Sequence, residues 1–304
     1  MGTFEKLTNR DRYFRQLQQE LRLLVDEKTG LLSEEYSELV SCPLCDSRRS
    51  RVLFVKEGYT FVRCRDCALV FTNPQVKEDL LFEAYRAGSA NDLWVDVLTS
   101  ETQLKTDEKK YNEILDSLES LNPLKGRLLD IGCSIGFFLH LASKRRWEVT
   151  GLELGESASQ YAREKFGINV RNQTLQGACF ADALFDAVAV LGILEHLKRP
   201  REFLREVNRV TKPSGVLVAI TPNVDSLATK ILHEKAATFD GRNHLVYFSP
   251  ATLTRLLEEG GGTRWSPCTP RSPRWTPFSA IWISMTRTSR TTQRTLKMPP
   301  AEVS

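Results

Sequence analysis

The chain has 304 residues, 41% apolar and 26% charged, a composition typical of a globular protein with room for about two domains. The formal net charge is +4, but seven basic residues and one acid fall within 261–304, so the rest is nearly neutral and a protein held mainly by nucleic-acid phosphates is disfavoured. The sequence contains neither 18 consecutive apolar residues nor an apolar leader, so we predict no membrane span and a cytoplasmic location.

The first 126 residues divide into three predicted segments. These are an N-terminal helical segment, a cysteine module and a helical linker or lid, over residues 1–40, 41–74 and 75–126. Apolar side chains at helical spacing predict helices over 10–26, 76–87 and about 103–121. Tyr85 and Trp94 of the third segment are candidates to cover a bound ligand, although packing in the core is the simpler interpretation.

Strands and helices then alternate, which predicts an α/β domain with a doubly wound, mostly parallel sheet over 127–260. The predicted strands lie near 127–131, 148–153, 168–171, 185–190 and 215–221. The predicted helices lie near 136–145, 156–166 and 200–210. Residues 261–304 hold 20 Ser, Thr or Pro and one acid, so we interpret them as an atypical basic tail. Such a tail is either disordered or the product of a reading-frame change, and it lacks the strands expected to close the sheet.

Four of the seven cysteines form two CxxC pairs, CPLC and CRDC, separated by 18 residues. Two such turns, brought together by a hairpin, place four thiolates around one metal ion. We therefore predict a zinc ribbon with the ligands Cys42, Cys45, Cys64 and Cys67. Four thiolates leave no open coordination position, so the zinc is structural. The alternative is four unrelated buried cysteines. The arginines that flank these pairs could form a nucleic-acid-binding surface, but arginines exposed to solvent around a zinc module are the commoner arrangement.

The segment LLDIGCSIGFF contains a tight turn of small residues at its first, third and fifth positions, Gly132, Ser134 and Gly136. A dinucleotide turn needs glycine at its sixth position, where this chain has Phe137, and a phosphate loop needs a final GK[ST]. The turn therefore fits neither. Small residues at these positions still let the backbone approach a ligand closely.

Two acids accompany the turn. Asp130 precedes it and is placed to accept a hydrogen bond from an ammonium group or to orient the loop. Glu153 lies 21 residues after Gly132, at the end of the next predicted strand. A carboxylate at that place is suited to bind a ribose diol.

LLDIGCSIGFF and VTGLEL resemble the first two motifs of the class I methyltransferases that use S-adenosylmethionine. The stretch from FDAVAVLGILEHL through KPSG to TPN, over 185–223, is similar to the later motifs, and NHLVYFSPATL resembles the segment that follows them. The cysteine module with VFTNP resembles the zinc-binding N-terminal segment of a subset of this superfamily. The resemblance covers about residues 41–260. It implies a Rossmann-like fold, with S-adenosylmethionine bound by Asp130, Gly132, Ser134, Gly136, Glu153, Leu191 and Gly192.

The resemblance also suggests two catalytic candidates. His196 follows the fourth strand, beside the expected methyl group, and His244 lies in the loop on the substrate side. The ordinary pKa of histidine suits a general base. His196 equally suits a helix cap. Two departures from the family pattern are Ser134 in place of the usual glycine and Gly192 where an acid is frequent.

The sequence therefore predicts a methyltransferase that acts on a small molecule: a sugar, a lipid-linked glycan or a natural-product intermediate. One alternative is an RNA methyltransferase that uses the zinc ribbon to hold RNA. A second alternative is a binding protein that keeps the fold without the activity.

Overall fold

The computed structural model describes residues 8–260, 265–268 and 280–287, the last two segments by their backbone alone. The described strands are β1 (Ser37–Glu38), β2 (Ser50–Lys56), β3 (Tyr59–Cys64), β4 (Val70–Thr72), β5 (Gln75–Val76), β6 (Arg127–Ile131), β7 (Glu148–Leu152), β8 (Val170–Arg171), β9 (Phe185–Leu191), β10 (Thr211–Pro222), β11 (Val246–Tyr247), β12 (Trp265–Cys268) and β13 (Ala280–Arg287). The described α-helices are α1 (Arg10–Arg22), α2 (Glu78–Ala87), α3 (Ser89–Thr99), α4 (Glu101–Leu121), α5 (Phe137–Lys144), α6 (Glu156–Phe166), α7 (Pro200–Val210), α8 (Leu227–Leu232) and α9 (Pro250–Gly260).

The central sheet has the strand order β12-β13-β10-β9-β6-β7-β8. Its five strands β8, β7, β6, β9 and β10 are parallel, which confirms the predicted doubly wound arrangement. The chain runs outward from β6 to β8 and then returns to β9 on the other side of β6. The strand order therefore reverses between β6 and β9, where an open α/β sheet forms its ligand crevice.

The sheet is closed by strands that the sequence did not indicate. β13 pairs antiparallel with β10, from Val216 opposite Thr286 to Pro222 opposite Ala280, and β12 pairs antiparallel with β13. The expectation that no closing strands follow Gly260 is therefore wrong at these two segments. Alternation of apolar and polar residues in them is brief, as in Ile283 to Thr286 of β13, and their places in the sheet come from pairing of β13 with β10 and of β12 with β13. The other residues of the predicted tail lie outside the described ones.

Alternate side chains of the central strands enter two apolar cores, one on each face of the sheet. In β9, Ala187 and Ala189 face the core formed with α4, α5 and α6. Val188 and Val190 face the opposite core, which contains α7 and the cysteine module. Both faces are buried because a parallel sheet is covered by its crossover helices. The module thus shares an apolar core with one face of the central sheet.

The cysteine module is a four-stranded antiparallel sheet in the order β11-β4-β3-β2. The predicted hairpin is β2 and β3, while β11 comes from a distant part of the chain, with Val246 opposite Phe71.

Helix α3 was not predicted. It packs on α1 through Tyr13 and Trp94, whose ring centroids are 4.8 Å apart. Among the described helices, none has the length and apolar character needed to cross a membrane.

Candidate active site

A cavity of about 870 Å³ lies at the carboxyl ends of β6, β7 and β9. Asp130, Leu152 and Leu191 line it from these three strands. Helices α1 to α4 form one side, and loops that include residues 132–134, 173–176 and 243–244 contribute to the rest. Small-molecule sites span about 300–1,000 Å³, so this cavity is large enough for a cofactor together with a small acceptor.

The predicted turn forms one wall of the cavity through Gly132 and Ser134. Gly132 has φ 74°, and a Cβ atom there would lie 2.2 Å from Cδ1 of Ile193. The positive φ favours glycine, and any side chain here would also require the Ile193 side chain to move. Ser134 also has positive φ, at 49°, and its backbone N–H donates a hydrogen bond of 2.8 Å to Glu153. The turn is therefore held to the end of β7.

Glu153 lines the cavity and receives two backbone hydrogen bonds, 2.8 Å from Ser134 N and 2.7 Å from Gly155 N. Burial raises the pKa of Glu153, and these two N–H groups oppose that rise. Each carboxylate oxygen keeps a further lone pair for another donor. The geometry fits a pair of ribose hydroxyls.

Asp130 is 2% exposed, and its Oδ1 atom has no hydrogen-bond partner among the described residues. Burial, and then the charge of Glu153, raise the pKa of Asp130 to about 8. A buried carboxylate without a partner is costly, and a cation in the cavity removes that cost. An ammonium group is the ligand group that this atom fits.

Of the other predicted cofactor residues, two line the cavity and one does not. Leu191 and Gly192 line the cavity, and Gly192 has φ 75°. Gly136 is not among the cavity-lining residues. A Cβ atom on Gly136 would lie 2.7 Å from Cβ of Ala162, so this glycine lets α5 begin against α6. The structure therefore gives Gly136 a packing role and does not bring it to the ligand.

The two predicted catalytic histidines both line the cavity, with ring centroids 4.9 Å apart. Nδ1 of His244 lies 2.9 Å from the Thr238 carbonyl oxygen. Because a carbonyl only accepts, Nδ1 carries a proton, and in the neutral ring Nε2 is therefore the nitrogen with the lone pair. Burial and the neighbouring His244 lower the pKa of His196 to about 3, so His196 is neutral at physiological pH.

Two residues lie near the histidines, and the sequence analysis linked neither of them to the histidines. Tyr85, for which core packing was favoured, lines the cavity, and its hydroxyl lies 3.1 Å from Nδ1 of His196. Glu195 is buried and accepts a hydrogen bond of 2.9 Å from the Thr221 hydroxyl. Ligand atoms of Glu195, His196 and His244 all lie within 4.8 Å of one another. Glu195 belongs to the LEHL motif, which was a usable signal, whereas Tyr85 has none nearby.

The wall formed by α1, α2 and α3 is rich in aromatic side chains. The aromatic residues there are Tyr13, Phe14, Phe82, Tyr85 and Trp94. The Arg10 guanidinium lies 5.2 Å from the Trp94 ring centroid. A wall of this kind favours a ligand with a flat face.

The four cysteines of the two CxxC pairs converge in the module. The Sγ atoms of Cys42 and Cys67 are 3.4 Å apart, those of Cys45 and Cys64 are 3.6 Å apart, and all four lie within 4.8 Å of one another. Tetrahedral Zn–S bonds of about 2.3 Å require sulfur atoms about 3.8 Å apart. The donor set therefore fits zinc. Arg49, one of the arginines that flank the CxxC pairs, forms an ion pair with Asp66.

A family model described as a methyltransferase domain matches residues 104–263, more than half of the chain. The chain belongs to this methyltransferase family. It is accordingly an S-adenosylmethionine-dependent enzyme with the Rossmann-like fold that its sheet shows. The expected fold class and activity are both confirmed.

Relatives and solved structures agree with this assignment. A ubiquinone biosynthesis O-methyltransferase of Dinoroseobacter shibae is 29% identical over 199 residues, which are 60% of this chain and 78% of that protein. A protein of the same name from Pseudomonas fluorescens is 30% identical over 111 residues, 34% of this chain and 48% of that protein. The chain thus spans about half of the second relative.

Two structural neighbours share the fold. Magnesium protoporphyrin IX methyltransferase from Synechocystis, solved with bound S-adenosylhomocysteine, has a TM-score of 0.54 and 15% identity, over 70% of this chain and 100% of that one. A 1,6-didemethyltoxoflavin-N1-methyltransferase from Burkholderia thailandensis has a TM-score of 0.51 and 13% identity, over 79% and 100%. At these identities the likeness concerns the fold alone.

Proposed function

We propose that this methyltransferase methylates a hydroxyl oxygen on a flat small molecule, with His244 as the general base. The observation that carries the proposal is the shared cavity. It is lined by the buried carboxylate of Asp130, whose Oδ1 has no hydrogen-bond partner among the described residues, and by the imidazole of His244, whose Nδ1 is held by the Thr238 carbonyl. A cofactor anchor and a base that face one space are the two parts that methyl transfer to oxygen requires.

The cofactor half is formed by the ends of β6 and β7. When bound, S-adenosylmethionine supplies an activated methyl group on a positively charged sulfur. Asp130 holds its ammonium group, and Glu153 accepts hydrogen bonds from its ribose hydroxyls. Gly132 and Ser134 let the backbone approach, and the wall at Leu191 and Gly192 completes this half.

The acceptor half is formed by the aromatic wall of α1, α2 and α3. Aromatic side chains stack on flat ligands, so we infer a planar acceptor such as a phenol or an enol. The relatives named as O-methyltransferases of ubiquinone biosynthesis support oxygen as the methylated atom and a small molecule as the acceptor. A sugar hydroxyl is less acidic than a phenol, whose ordinary pKa is about 10, and is a poorer match for an imidazole base.

The two histidines have different proposed roles. His244 removes the hydroxyl proton through Nε2, because its Nδ1–H is held by the Thr238 carbonyl. His196, with its pKa lowered to about 3, stays neutral and positions the acceptor together with Tyr85. Glu195 lies beside the pair; burial raises the pKa of its carboxyl group, and the charge on His244 opposes that rise. A carboxylate there favours the protonated His244 that forms.

We also propose that the four cysteines hold a structural zinc ion. Four thiolates complete a tetrahedron and leave no position for substrate. The ion then serves to fold the module, for which structural zinc contributes about 10 kcal/mol or more.

Binding of S-adenosylhomocysteine tests the cofactor half. Calorimetric titration into the zinc-loaded protein is expected to give micromolar affinity. Asp130→Asn and Glu153→Ala each remove a charged hydrogen-bond partner worth about 1.5–3 kcal/mol, so each should weaken binding at least about tenfold. Asp182→Asn, at an exposed carboxylate, is the control. Wild-type protein that is folded and zinc-loaded but does not bind contradicts the proposal.

Turnover tests the acceptor half. Labelled S-adenosylmethionine is supplied with phenols, their already methylated ethers, sugars and short RNAs. Transfer to free phenols alone supports the proposal. Transfer to sugars or RNA contradicts the proposed acceptor, and normal cofactor binding without transfer to any of them favours a binding protein.

A further inference from the structure

The loop that carries His244, residues 236–247, lies on the cysteine module. The Phe239 ring packs edge-on against Phe61 of β3, with centroids 5.4 Å apart. Gly241 sits directly on Tyr59, where an added Cβ atom would be 2.2 Å from the Tyr59 Cβ. The catalytic loop and the hairpin of the module therefore share a close-packed contact.

The end of this loop is clamped at the residue after His244. The Leu245 carbonyl oxygen accepts hydrogen bonds from Thr72 N of the module at 3.0 Å and from the side-chain amide of Gln75, which directly follows the module, at 3.3 Å. On the other side, Leu245 N donates to the Glu195 carbonyl oxygen at 2.8 Å. Thr72 and Gln75 are fully buried, so these bonds are shielded from water. Leu245 thus joins the module to the short helical turn Leu194–His196 that follows β9.

The cysteine cluster holds the strands that make this clamp. Cys64 ends β3, and its backbone N–H donates to the Leu69 carbonyl oxygen at 2.9 Å. Cys67 lies three residues before Val70, which begins β4 and pairs with Tyr247 of β11. A metal ion that joins Cys64 to Cys67 fixes the turn between β3 and β4. The position of β4 in turn sets the position of β11.

We propose that the metal-loaded module is a positioning element of the active site. It sets the place of His244 through the Leu245 clamp, and Gln75 is a positioning residue. This inference rests on the proposed role of His244 as the base. The cofactor half does not depend on the module, because β6 and β7 position Asp130 and Glu153. Loss of the metal is therefore expected to disorder the base and to spare cofactor binding.

The first test removes the metal and observes the clamp without turnover. Cys67→Ser and wild-type protein are compared by amide hydrogen exchange at Thr72 and Leu245 and by titration of the His244 ring in NMR spectra. In the metal-free variant we expect exchange at both amides to rise at least about tenfold and the His244 signal to change. S-adenosylhomocysteine affinity should stay within about threefold. Cys179→Ser, at an exposed cysteine outside the cluster, is the matched control.

The second test keeps all four thiols and removes one donor of the clamp. Gln75→Leu should retain zinc and cofactor affinity, while kcat for the acceptor falls about tenfold and its pH profile shifts. Gln160→Leu, at an exposed glutamine of α6, should change neither. If Cys67→Ser unfolds globally, which loss of cofactor binding reveals, Gln75→Leu decides.

The outcomes separate the two proposals. Unchanged exchange at Leu245 and an unchanged His244 titration, in metal-free protein that still binds S-adenosylhomocysteine, overturn the positioning role alone. Unchanged kcat and pH profile in zinc-loaded Gln75→Leu also overturn it. Wild-type protein that does not bind S-adenosylhomocysteine at all overturns the proposed function itself.

Discussion

Asp130 should make the affinity for S-adenosylhomocysteine depend on pH. In the ligand-free protein its folded pKa is about 8, against an ordinary value of 3.8. The ammonium group of the ligand pairs with the ionised carboxylate, so binding below pH 8 must release the Asp130 proton. Affinity should therefore rise with pH, by about tenfold or 1.4 kcal/mol per unit well below the pKa. Between pH 6 and pH 8 the expected gain is about 50-fold.

Calorimetry in two buffers with different ionisation enthalpies measures this directly. Near pH 6.5 the difference in observed enthalpy should correspond to about one proton released per ligand bound. The matched variant Asp130→Asn should bind weakly at every pH and release none. Wild-type affinity that is constant from pH 6 to pH 8, with no proton release, refutes the placement of the ammonium group at Asp130.

The same residue predicts a linked effect on stability. A folded pKa raised above the unfolded value contributes stability below about pH 4, which is lost progressively as pH rises toward 8. Ligand-free Asp130→Asn lacks this loss. Its stability relative to wild type, measured by urea unfolding, should therefore improve between pH 4 and pH 8. An improvement of zero contradicts the burial of an unpaired carboxylate.

Three further predictions concern single positions. Gly132→Ala places a Cβ atom 2.2 Å from Ile193 Cδ1 at φ 74°, so backbone strain and overpacking should lower unfolding free energy by about 2–4 kcal/mol and weaken cofactor binding; equal urea midpoints contradict this. His244→Gln should lower kcat about 10²–10⁴-fold, with cofactor affinity nearly unchanged. If kcat instead falls this much in His196→Gln and stays unchanged in His244→Gln, His196 is the general base and His244 the positioning residue. Gly241→Ala should press on Tyr59 and lower kcat more than cofactor affinity, whereas equal kinetics contradict the close contact.

The strands, helices and local motifs were predictable because their signals are short-range. The period of apolar residues located β6 to β10 and the helices between them. The spacing of the two CxxC pairs predicted that the four cysteines would converge, as they do. Gly132 and Glu153 were identified from the distance between them along one strand–helix–strand unit. Such a unit has nearly fixed geometry, so sequence spacing converts directly into position.

The sequence carried less information where a residue's contacts depend on a remote neighbour. Gly136 fits the turn motif, but it does not line the cavity. The close packing of Gly136 against Ala162 accounts for the glycine at this position. Strand β13 has little alternation of its own and is defined by pairing with β10. Tyr85 meets His196 across 111 residues of sequence, and no local pattern carries that information.

The sequence by itself determined the class of protein: a parallel α/β sheet with a glycine turn, a cluster of four cysteines and a methyl donor. These features rest on spacings within about 30 residues, which the backbone geometry of strands, turns and helices translates into structure. Only the tertiary structure decided which side chains meet. It brought His244 beside His196, and it laid the loop of His244 on the cysteine module. Both are contacts between distant segments, and burial of a common apolar core selects them.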